Sequence, residues 1–218
     1  MLPIKRASLI IALLATAACS TQVVVPERTI PDPLIDKLPL KVGARYPDEF
    51  NKFVHEEQVI GKDKWQIDLG KSNRLLFDKL FGSMFTDFRV LAEGESPDDY
   101  DLDAFIEPSI DAFEFSVPEQ SQTDSFAVWI RYRIKVYDKS GTQIANWPIS
   151  AYGKSMTTTF GGDEALSRAA ILAMRDAAAL IIMQMDKSTG ISSLAQVDAP
   201  ASSSGLQTQV EEVSDDSG

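Results

Sequence analysis

A single cysteine and a single histidine stand in a chain of 218 residues. The lone Cys19 excludes an intramolecular disulfide and a multi-thiolate metal centre. The lone His55, beside Glu56 and Glu57 and with no nucleophile motif elsewhere, reads as a surface residue rather than a catalytic one. The sequence has no GxSxG, HExxH, Walker or dinucleotide-binding pattern. Basic residues are also scarce, 21 against 32 acidic ones, for a net charge of −11. With no basic tract to neutralise phosphates, nucleic acid is not an expected partner. Nor is there an apolar run of the roughly twenty residues that a membrane-spanning helix needs. What remains is ordinary globular composition, 44% hydrophobic and 24% charged. A core of this size folds without a metal or disulfide, and no metal or cofactor is expected.

The N-terminus has the sharpest pattern. Lys5 and Arg6 form a short basic region, Leu9 to Ala15 an apolar one, and Ala17 and Ala18 place small residues directly before Cys19. This pattern resembles the signal of bacterial lipoproteins, with Thr16 departing from the aliphatic residue usual there. The resemblance implies cleavage before the cysteine by signal peptidase II, diacylation of the sulfur and acylation of the new amine. Cys19 is then the lipidation site and first mature residue, and the membrane is a partner through its acyl chains. Two chains already suffice for lasting attachment. Ser20 in the next position implies, by the same resemblance, the periplasmic face of the outer membrane. An ordinary secretory signal followed by a stray thiol is the other reading. Once residues 1–18 are removed, 19 of the 21 basic residues remain against 32 acids, a net charge of −13. Such a body has no affinity of its own for anionic headgroups.

Residues 19–37 are expected to be a lipidated tether punctuated by Pro26, Pro31 and Pro33, reaching at most about 60 Å from the bilayer. Residues 187–218, rich in Ser, Gly, Gln and acids, are expected to be a disordered acidic tail. Between them, residues 38–186 are expected to form one periplasmic α+β domain. Leu38, Leu40, Val42, Ala44 and Tyr46 alternate with polar residues as in a half-buried strand, and Trp65, Ile67 and Leu69 suggest another. Phe77, Leu80, Phe81, Met84, Phe85 and Phe88 recur at helical spacing over residues 72–88, with Ser72 as N-cap. A second helix runs from Asp163 to about Met185 with an alanine-rich stripe and a Glu164 to Arg168 pair.

Residues 104–117 and 125–138 read as a hairpin that places Ile106 opposite Val136, Ile110 opposite Tyr132 and Ala112 opposite Ile130. The other face then pairs Phe105 with Tyr137, Glu107 with Lys135, Asp111 with Arg131 and Phe113 with Trp129. A turn at residues 138–141 adds a third strand, with Tyr132 opposite Trp147, Ile130 opposite Ile149 and Val128 opposite Ala151; Pro148 marks it as an edge. The expected fold is an antiparallel sheet, a three-stranded meander plus the early strand, with two helices packed on one face. The opposite face has no element left to cover it, and Phe105, Phe113, Trp129 and Tyr137 there are the candidate partner-binding residues. Asp98, Asp99, Asp101 and Asp103 form an acidic loop, but Ala104 and Ile110 stand where a calcium loop needs Gly and Glu.

In element order, residues 38–186 resemble the small envelope lipoproteins that accompany transport or secretion machines, including the ABC-type transport auxiliary lipoproteins. The resemblance implies a non-enzymatic accessory that docks on or assembles an envelope complex, with an envelope protein as partner. The alternatives are a lipid- or glycan-binding module and a periplasmic hydrolase of unrecognised type. An apolar cavity would favour the first and a cleft gathering His55 with carboxylates the second.

Overall fold

The computed structural model describes residues 20–26, 33–59, 64–157 and 161–197. Among these the chain forms eight strands in two sheets, with five α-helices and a 3-10 turn. In the larger sheet, the alternating segment β2 (Leu38–Ala44) lies between β5 (Phe85–Val90) and β6 (Ala104–Ser116), followed by β7 (Ser125–Asp138) and β8 (Gln143–Met156). The last three strands are the expected antiparallel meander. The early strand is parallel to both its neighbours, so the sheet is mixed rather than antiparallel. Parallel neighbours require long crossover connections. The one from β2 to β5 carries the short helix α1 (Asp48–Asn51), β3 (Val54–Gln58), β4 (Lys64–Asp68) and helix α2 (Gly70–Met84).

On β2 and β7 the alternation read in the sequence marks the buried side correctly. Val128, Ile130, Tyr132, Ile134 and Val136 on β7 are buried, as are Leu40, Val42 and Ala44 on β2. Tyr132 lies among Phe50 and Phe77, and its hydroxyl donates to Asn73 of α2 at 2.7 Å. Over the other half of this face runs helix α4 (Gly162–Asp186), burying Leu166, Ala169, Ala170, Ala173, Ala177 and Ile181. Its alanines allow a close approach to β8. A Cβ on Gly153 would collide with the α4 backbone at Ala169 and Ala173. Arg168 donates to Glu164 at 2.6 Å, the anticipated pair one turn apart.

Helix α2 ends four residues earlier than its apolar spacing suggests. Phe85 and Phe88 belong to β5, because pairing with β2 turns the chain extended after Met84. Ser72 is not a cap; its hydroxyl donates to the carbonyl of Val25 at 2.6 Å, inside the fold.

That bond belongs to a larger departure from the expected tether. Residues 20–24 form β1 (Ser20–Val24), paired in parallel with β4, which also pairs with β3 to complete a three-stranded sheet. Val23 and Val25 are buried, Ile35 packs on the core, and Lys37 donates to the carbonyl of Gly82 at 2.9 Å. The described part of residues 20–37 is therefore built into the body rather than strung out from it. The small sheet shares the helical layer: His55, Phe53 and Trp65 meet Phe113 and Phe115 of β6.

The expected tail is corrected in the same way over its first part. Helix α5 (Thr189–Val197) follows α4 and buries Ile191 against the core, with Leu194 partly covered. Residues 198–218 lie outside the described residues. Ile191→Ala is expected to lower stability by about 2 kcal/mol, the low end for a buried isoleucine at a periphery. Equilibrium urea unfolding measures this, and an unchanged midpoint would show that α5 does not dock.

Candidate functional site

The sheet face opposite the helices is divided by one irregularity. In β6 the ladder with β7 slips between Ile110 and Ala112, so Asp111 is the extra residue of a bulge. Before it, the expected pairs Phe105 with Tyr137, Glu107 with Lys135, Ile106 with Val136 and Ile110 with Tyr132 are present. Beyond it, every residue of β6 changes face. Phe113 lies opposite Ile130 rather than Trp129, and Ala112 opposite Arg131 rather than Ile130. Phe113 is thus buried on the core face beneath His55, 5.0 Å between ring centroids, and is removed from the candidate surface. Glu114 takes its place beside Trp129. The expected Asp111 to Arg131 pair is replaced by Asp111 with Arg133, and Glu107 pairs with Arg45 at 3.0 Å.

The far end of this face, where β6 begins, is covered, contrary to expectation. Residues 91–103 fold back over it, turning through the 3-10 segment Pro97–Tyr100, which Ser96 and Asp99 cap reciprocally. Leu91 and Leu102 close on Phe105, which is buried and stacks on Tyr137 with centroids 4.7 Å apart. Tyr137 is half-buried, and its burial, with Glu107 nearby, raises its phenol pKa. The acidic stretch holds this loop down: Asp101 accepts from the Lys41 ammonium at 2.8 Å and Asp103 from the Lys41 amide at 2.7 Å. The Lys41 hydrogen bond and charge hold the Asp101 carboxyl below its ordinary range. Among the described residues no three His, Cys, Asp or Glu side chains gather as metal ligands.

The near half stays open. Two successive rungs on this face cross three strands: Glu114, Trp129 and Tyr152 in one, Ala112, Arg131 and Ser150 in the other. They line a shallow pocket of about 310 Å³. Trp129 and Tyr152 are 44% and 43% exposed, with rings 5.1 Å apart and tilted by 46°. Among the described residues neither Arg131 nor Glu114 has an ion-pair partner. Of the four candidate residues, Trp129 is thus exposed, Tyr137 half-buried, and Phe105 and Phe113 buried. Tyr152 was missed because the second hairpin is offset by two residues from its expected register: Tyr132 lies opposite Ile149, Ile134 opposite Trp147 and Ile130 opposite Ala151. An offset of two keeps every side chain on its expected face while changing its neighbour. Continuing the alternation past Ala151 would have put Tyr152 on the right face, though not beside Trp129.

Edge strand β8 is protected on its outer side. The Tyr152 amide donates to Asp176 of α4 at 2.9 Å, and Pro148, four residues earlier, has no amide to offer. His55 contributes to packing, with Nε2 3.2 Å from Glu57 and its ring against Phe113 and Phe115. Cys19 lies outside the described residues.

No family model matches this chain, and no curated protein matches it. Solved structures align with parts of the chain. Hypothetical protein CT253 from Chlamydia trachomatis aligns over 68% of this chain and 97% of its own at 10% identity, with a TM-score of 0.42. Lipoprotein GNA1162 from Neisseria meningitidis aligns over 69% of this chain and 100% of its own at 10% identity, with a TM-score of 0.32. Likenesses this distant assign no function. Among the described residues no helix is long and apolar enough to cross a membrane.

Proposed function

We propose that this is a lipid-anchored protein of the bacterial envelope, acylated at Cys19, which acts without catalysis by docking on an envelope protein complex of transport or secretion. The N-terminal basic, apolar and small-residue pattern supports the anchor and, with Ser20, the outer membrane. The observation carrying the docking role is the open Trp129 and Tyr152 pair, flanked by Arg131 and Glu114, which have no ion-pair partner among the described residues, on a face whose far end is covered by the chain's own loop. Exposed aromatics and arginine are the residue types that dominate binding hot spots. The pocket between them also admits a second reading, a module that stacks one sugar ring on the indole.

A photo-reactive phenylalanine at position 129 or 152, introduced in cells, is expected to yield one discrete protein adduct. The same probe at Met183, 49% exposed near the end of α4, should yield none. Absence of an adduct from both 129 and 152 would overturn the docking surface. Loss of the adduct on adding soluble envelope glycan would favour the sugar-binding reading.

A further inference from the structure

The geometry points to a body seated directly against the bilayer, with the end of the fold where β1 begins facing the lipid surface. This rests on the lipidation of Cys19 proposed above. Ser20 is already paired with Lys64, so one peptide unit, 3.8 Å between Cα atoms, separates the anchored residue from the β1 and β4 ladder. The strand cannot be paid out as a leash without loss of structure. Its five residues pair in unbroken register, Gln22 donates to Gln66 at 3.0 Å, Val23 and Val25 are 2% exposed, and the Val25 carbonyl accepts from Ser72.

The rest of the chain then has a defined direction. Trp65, opposite Thr21, packs with its ring centroid 6.1 Å from that of Phe115 and 6.0 Å from that of Phe126, so the end of β6, the short helix α3 (Pro118–Ser121) and the start of β7 all lie at the anchored end. The last residue of β8, Met156, opposite Ser125, and the first turn of α4 join them. From there the 14 residues of β7, at about 3.3 Å each, lead to the β7 to β8 turn about 45 Å away. That turn is rigid: Asp138 accepts from the Ser140 hydroxyl and from the amides of Ser140 and Thr142. At the anchored end the one cation opposite Ser20, Lys64, is ion-paired with Glu56, and Glu119, Asp124, Asp163 and Glu164 provide no attraction to anionic headgroups, so connectivity rather than affinity holds the surface down. Trp129 and Tyr152 stand four rungs above Ser125 and Met156, roughly 13 Å along the strands. A partner reaching them must itself lie close to the membrane.

The test uses the full acylated protein in phosphatidylcholine vesicles with an energy acceptor on the headgroups. Acylation consumes the Cys19 thiol, so Glu119→Cys and Ser140→Cys each provide one labelling site, at the near and far ends. Transfer from position 119 is expected to exceed that from 140 at least fivefold, and a ten-residue Gly-Ser insertion after Ser20 should reduce the ratio below twofold. Equal transfer from both sites, with acylation verified by intact mass, would overturn the seating while leaving the anchor intact. A free thiol and protein that does not float with the vesicles would remove the anchor reading and this inference together.

Discussion

Gly153→Ala is expected to lower the unfolding free energy by about 3 kcal/mol, the upper end of the cost of overpacking. In a domain of this length that corresponds to a fall in melting temperature of roughly 6–12 °C. The added methyl would meet the Ala169 carbonyl and the Ala173 amide, which are helix backbone, with Leu172 C at 3.0 Å. A flexible side chain could rotate away from such a methyl. A helix can yield only by moving as a unit, and α4 is held by its buried face along β7 and β8. Thermal unfolding followed by circular dichroism measures the effect. A melting temperature within a degree or two of wild type would mean that α4 does not sit this close to β8.

Tyr132→Ala is expected to be at least as damaging, about 4 kcal/mol, because it empties the centre of the core among Phe50 and Phe77. Tyr132→Phe separates packing from hydrogen bonding. It retains the ring but removes the donor to Asn73 Oδ1, on a side chain that is fully buried and whose amide nitrogen already has no partner among the described residues. The expected loss is about 2 kcal/mol, since a buried acceptor is left unsatisfied. Burial raises the Tyr132 phenol far above its ordinary pKa, so the hydroxyl remains a donor throughout the accessible pH range. Combining Tyr132→Phe with Asn73→Leu, which makes both partners apolar, should recover most of the loss. Urea unfolding of the three variants decides the matter. No recovery in the double variant would show that Asn73 is retained for another contact.

Besides the two-residue offset of β8, which brings Tyr152 beside Trp129, the candidate face differs from its reading in the sequence through one insertion and one long-range contact. One residue, Asp111, is inserted in β6. Nothing in its chemistry marks it as a bulge, since Asp is as compatible with an exposed strand position as with an extra one. The insertion nevertheless sends Phe113 into the core and Glu114 to the surface. The covering of Phe105 depends on residues 91–103, whose composition reads as an ordinary solvated loop. Their place on the sheet is set by Lys41, some 60 residues away in the chain, and by the contact of Leu91 and Leu102 with Gly43 and Phe105. Trp129 stayed where the alternation of β7 put it because β7 has no irregularity between Ser125 and Val136.

By itself the sequence determined which side of β7 and of β6 before Asp111 is apolar, the alanine stripe of α4, the ends of β6 and β7 to within a residue, and the run of basic, apolar and small residues before Cys19. These are local properties, because side-chain alternation and helical spacing are written in neighbouring residues. Tertiary structure alone decided that β2 lies parallel to β5 and β6, that Ser20–Val24 is a strand rather than a tether, and that the polar VHEEQ segment is one as well. Strand pairing runs through backbone amides and carbonyls that every residue but proline offers alike. A segment with weak patterning therefore becomes a strand when a distant edge is left open beside it, and only the folded chain brings that edge within reach.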